Sequence, residues 1–72
     1  MDYGAKLKIT CEEFTAKLNE CLHRDPANEC MVFCHDKDGF ELLAPVLTET
    51  GKMALSKAIF DEVSRRYAIA SE

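Results

Sequence analysis

The sequence predicts a small α+β domain of element order βαββα, with a three-stranded sheet carrying two amphipathic helices on one face. Three observations predict it. An apolar hairpin turns through Asp36-Lys37-Asp38-Gly39, an amphipathic segment lies on either side of that hairpin, and lysines alternate with apolar residues in a short stretch near the start. The 72 residues are expected to form one domain, residues 1–72. That length is near the size at which a single core barely offsets chain entropy and association often helps.

The first strand is expected over residues 6–10, where Lys6-Leu7-Lys8-Ile9-Thr10 alternates as a half-buried strand requires. A helix over residues 11–24 follows. Thr10 is its N-cap and Glu13, three residues on, completes a capping box. Cys11, Phe14, Leu18, Cys21 and Leu22 form its apolar stripe, and Glu13–Lys17 and Glu20–Arg24 are i,i+4 pairs in the favourable order. The helix is expected to stop near Asp25, because the residue before Pro26 is pushed out of the helical region.

The hairpin is expected over residues 29–35 and 40–47. Asp-Lys-Asp-Gly fits a three-residue loop, a type I turn at Lys37 and Asp38 followed by Gly39 in the left-handed region. Asp36 then faces Phe40, which puts Cys30, Val32, Cys34, Phe40, Leu42, Ala44 and Val46 on the inward face. Met31, Phe33, Leu43 and Pro45 fall on the outward face, with His35 opposite Glu41 at the turn end. This register is preferred over a loop at Asp38-Gly39 because it segregates polar from apolar side chains. The second helix is expected over residues 51–68, starting near Thr50, with Met53, Leu55, Ile59, Phe60, Val63 and Tyr67 on its apolar arc.

Proline 45 suggests the topology. Its missing N–H marks the third strand as an edge, so the first strand is expected beside the second, parallel to it, with the first helix as a right-handed crossover. Both helices would cover the Cys30/Val32/Cys34 face. Met31, Phe33 and Leu43 would stay open.

Composition excludes several function classes. Thirteen acids against nine bases give a formal charge of −4, whereas sequence-independent nucleic-acid binding needs a concentrated basic face. Lys6, Lys8, Arg65 and Arg66 are the only candidates for one, and Asp61 and Glu62 stand one turn from the two arginines as i,i+4 partners. No apolar run approaches the roughly 20 residues of a membrane span, and Met1-Asp2-Tyr3-Gly4-Ala5-Lys6 lacks a signal-peptide apolar core, so cytoplasmic residence is expected. No nucleic-acid or membrane partner is expected.

The chemistry-bearing residues are Cys11, Cys21, His23, Cys30, Cys34 and His35. Cys30 and Cys34 on one strand lie roughly 13 Å apart, too far for a disulfide or for one zinc ion. Cys34 and His35 point to opposite faces, and Cys21 and His23 are about 200° apart on a helix. The cysteines are therefore read as small core hydrophobes, with no metal, cofactor or catalytic residue expected. Placing Gly39 at the sixth position of a calcium loop puts Cys34 first and Pro45 twelfth, where carboxylates are required.

What remains is the outward hairpin face, since contiguous exposed apolar area marks association. The functional expectation is a non-catalytic protein-binding module, an adaptor, inhibitor or regulatory subunit, forming a homodimer through Met31, Phe33, Leu43 and Pro45 with His35 and Glu41 at the rim. Its partner is itself, another protein, or both; such compositions are common among bacterial and phage accessory proteins. The alternative is a metal- or small-molecule-binding protein, or an enzyme with an inter-subunit site, in which Cys21 meets a hairpin cysteine across the core.

Overall fold

The computed structural model describes residues 6–70. The described elements are β1 (Leu7–Ile9), α1 (Cys11–Leu22), β2 (Val32–Asp36), β3 (Gly39–Leu43), α2 (Glu49–Ser64) and β4 (Tyr67–Ile69). They form a small α+β fold of two helices and two sheets of two strands each, with α1 packed against β2, β4 and α2.

Helix α1 begins as its sequence requires. The Thr10 side chain accepts from the Glu13 N–H at 3.0 Å and the Glu13 carboxylate accepts from the Thr10 N–H at 2.9 Å, which satisfies two of the donors a helix start leaves unpaired. Glu13 is thereby committed to the cap and forms no ion pair with Lys17, which reaches Glu20 at 3.7 Å instead. The helix ends at Leu22, and Asp25 caps a 3-10 turn over Pro26–Asn28. Residues 29 and 30 are therefore turn and β2 begins only at Val32, a correction to the expected start of the hairpin.

Helix α2 is capped by Thr48, whose hydroxyl accepts from the Gly51 N–H at 3.0 Å. It starts two residues earlier than expected and stops at Ser64 rather than continuing to residue 68. Tyr67–Ile69 instead pairs in parallel with Leu7–Ile9, with bonds from Leu7 N–H to the Arg66 carbonyl at 3.0 Å and from Ala70 N–H to the Ile9 carbonyl at 2.8 Å. The first strand thus exists, but its neighbour is β4 and not β2. Tyr67 and Ile69 favour a strand, and an isolated β1 would leave its own peptide groups without partners.

The hairpin register is the main correction. Asp36 pairs with Gly39, His35 with Phe40, Cys34 with Glu41, Phe33 with Leu42 and Val32 with Leu43. The loop has two residues, Lys37 and Asp38, and the Asp36 carboxylate accepts from the Asp38 N–H at 2.8 Å. Gly39 has a positive φ of 133°, but it begins β3 instead of bulging out of the loop. Removing that one residue flips every side chain of β2 relative to β3. Met31, Phe33, Leu42 and Ala44 are buried, at 5, 3, 5 and 3% exposure, while Cys30, Val32, Cys34 and Leu43 face outward. Burying a phenylalanine and a methionine removes more apolar area from water than burying a valine and a cysteine, at about 25 cal/mol per Å².

Pro45 fits this register. The alternation of the ladder would make residue 45 the next donor toward β2, and proline has no N–H to give, so β3 ends at Leu43. The core joins these elements through Phe14, Leu18, Leu22, Phe33, Leu42, Ile59 and Val63. Phe14, Phe40 and Phe60 tie α1, β3 and α2 together, with ring centroids 5.2–5.4 Å apart, within the range in which aromatic pairs attract.

Candidate functional site: the outer face and edges of the hairpin

Asn19 lies on α1 beside its apolar stripe, and His23, one turn on, is the C-cap of that helix. The Asn19 amide donates to the Phe33 carbonyl at 3.1 Å, and its oxygen accepts from the Phe33 N–H at 2.7 Å. His23 Nε2 lies 2.6 Å from the Met31 carbonyl oxygen, so the ring carries its proton on Nε2 and donates it. These side chains satisfy the Phe33 and Met31 part of the edge that faces away from β3. The same contacts determine the ladder. Because the Phe33 N–H and C=O point to Asn19, Phe33 and Leu42 are a non-hydrogen-bonded pair, and the bonded pairs are Val32–Leu43, Cys34–Glu41 and Asp36–Gly39.

The outer face of the hairpin therefore presents Val32 opposite Leu43 and Cys34 opposite Glu41. Val32 is 39% exposed and Leu43 is 43% exposed; Pro45 and Val46, in the turn after the strand, are exposed as well, Val46 at 74%. Of the residues expected on this face, Leu43 and Glu41 are there and Pro45 is exposed beyond the strand end. Met31 and Phe33 are not, because the register turns them into the core. His35 stands opposite Phe40 rather than Glu41, exposed, with its ring 6.0 Å from the Phe40 ring. It borders an open cavity of about 260 Å³ together with Cys11 and Glu12 at the start of α1.

The cysteines divide between two surroundings. Cys11, Cys30 and Cys34 are exposed, which corrects their expected place in the core, whereas Cys21 is buried on α1. Burial pushes the Cys21 thiol up, and so does its hydrogen bond to the Glu62 carboxylate. That bond, with a second one from Arg24 at 2.7 Å, holds Glu62 below the usual carboxylate range. Cys21 thus meets α2 instead of a hairpin cysteine, which corrects the juxtaposition on which a metal reading depended. Among the described residues, no group of three or more His, Cys, Asp and Glu side chains is arranged to hold a metal ion. The cavity beside Cys21, bordered by Lys17, Arg24, Glu62, Arg66 and Tyr67, measures about 90 Å³, room for a few water molecules.

No family model, curated protein or solved structure matches this chain. Of the basic candidates, Lys6 and Arg65 border one shallow depression together with Asp61 and Ser64, and Arg66 borders the cavity beside Cys21. No helix among the described residues is long and apolar enough to cross a membrane.

The polar helix residues at the β2 edge were missed by the sequence reading. Asn19 and His23 share an i,i+4 spacing immediately beside the apolar stripe, where a polar pair can reach a strand edge as readily as solvent.

Proposed function

We propose that this chain is a small non-catalytic protein-binding module that self-associates through the outer face of its hairpin as a two-fold dimer. The observation that carries the reading is the cross-strand pair Val32–Leu43, apolar on both strands and two-fifths exposed, at the centre of a face that no other described element covers. Two such faces packed together would remove Val32, Leu43 and the neighbouring Cys34 from water. Helix α1 packs against β2 from the other side, so no described element covers this surface. An adaptor, inhibitor or regulatory subunit needs such a face and no reaction chemistry.

Cysteine reactivity tests the reading. Cys34 lies on the proposed contact and Cys11 is exposed elsewhere, at the start of α1. Alkylation by a maleimide should slow at Cys34 as protein concentration rises, while Cys11 reacts at a constant rate. Equal rates at Cys34 across the concentration range would rule out association through this face.

A further inference from the structure

The two free edges of the hairpin are treated differently. On β2, Asn19 takes both peptide groups of Phe33, and His23 takes the carbonyl of Met31 just before the strand, which leaves only the His35 peptide groups of that edge without a partner among the described residues. On β3, the same alternation turns the N–H and C=O of Phe40 and Leu42 away from β2, and neither residue has another hydrogen-bond partner among the described residues. A strand edge whose peptide groups lack partners is a template for a further strand.

We infer that the β3 edge at Phe40 and Leu42 is a docking edge for an extended segment of another protein, with basic side chains on one face and apolar side chains on the other. The inference rests on the reading of the chain as a protein-binding module, but not on its self-association. The partner chemistry follows from register. A strand bonded to Phe40 and Leu42 places its intervening residue directly opposite Glu41, an exposed carboxylate on the outer face. Directly opposed unlike charges stabilise and like charges repel. The turn beside it adds Asp36 and Asp38 against a single Lys37, within a chain of formal charge −4. The residues bonded to Phe40 and Leu42 lie on the inner side, beside the half-buried rings of Phe40 and Phe60, and an apolar side chain suits that position.

A second copy fits this edge poorly. Pairing two β3 strands so that Phe40 bonds to Leu42 sets Glu41 against its symmetry mate. Centring the pair on Leu42 instead bonds Phe40 to Ala44, whose carbonyl already accepts from the Leu47 N–H at 3.0 Å.

The test uses the full chain, isotopically labelled, with an acetylated and amidated hexapeptide alternating lysine and valine. Amide exchange at Phe40 and Leu42 should slow on adding this peptide and should not slow with a version whose valine nitrogens are methylated. The Glu41→Lys variant should bind it about tenfold more weakly and should bind the glutamate–valine analogue instead. No added protection at Phe40 and Leu42, or protection by the methylated peptide, overturns the inference. Protection already present in the free protein and lost on dilution also overturns it, because a second copy then occupies the edge. Light scattering on the same samples separates the two readings, since a failed edge leaves any face-mediated dimer mass unchanged.

Discussion

Asn19 holds Phe33 by both of its backbone polar groups, donating at 3.1 Å and accepting at 2.7 Å. The side-chain amide stands where a neighbouring strand would otherwise be. It fixes the orientation of β2, and with it the identity of the buried residues. Asn19→Ala should cost about 1–3 kcal/mol, because the Phe33 peptide groups are left part-buried without partners. Urea denaturation checks this; a loss below a few tenths of a kcal/mol would show that water replaces the amide without penalty.

Phe33 is a core residue, 3% exposed. Phe33→Ala should cost about 3–5 kcal/mol, enough to unfold much of a domain this small at room temperature. The readout is circular dichroism: the subunit loses structure rather than changing its oligomeric state. A folded Phe33→Ala variant with wild-type stability would return Phe33 to the open face.

Glu62 gives stability a pH dependence of definite sign. Its carboxylate is held below the ordinary range by the Cys21 thiol and Arg24, so the unfolded chain binds the proton more readily than the folded one. The resulting stabilisation is present above the ordinary glutamate range and is lost as pH falls through the lowered value. Glu62→Gln should therefore flatten the acid side of the stability profile. Thermal melts from neutral to acid pH measure it, and identical profiles for the two proteins would contradict the assignment.

Gly39 has a φ of +133°, and a side-chain carbon built there meets nothing within 4 Å. The cost of Gly39→Ala is thus backbone strain alone, of order 1–3 kcal/mol. If Gly39→Ala melts at the wild-type temperature, the turn does not hold Gly39 in that conformation.

Much of the fold was legible because some segments carry a single signal. Thr10 and Glu13 mark the start of α1 unambiguously, and Phe40, Leu42 and Ala44 alternate with Glu41 so that β3 can face only one way. Strand β2 was harder to read. Met31, Val32, Phe33 and Cys34 are apolar on both faces, so alternation cannot choose between them. The choice lies in the loop length at Lys37-Asp38, in the missing N–H of Pro45, and in the reach of Asn19, a contact 14 residues distant in sequence. Strand β4 was hidden because Tyr67 continues the apolar spacing of α2. Of the residues expected on the outward face, Leu43, Glu41 and Pro45 are exposed, while Met31, Phe33 and His35 were misplaced by the same one-residue shift.

Sedimentation equilibrium of the wild type and of Leu43→Glu tests the central claim most directly. Leu43 is 43% exposed, so a charge there leaves the subunit core intact but would be desolvated in a face-to-face dimer, at a cost of several kcal/mol. The account predicts a wild-type dimer and a Leu43→Glu monomer with an unchanged circular dichroism spectrum. A wild type that stays monomeric at every concentration, or a Leu43→Glu variant that remains dimeric, would contradict it.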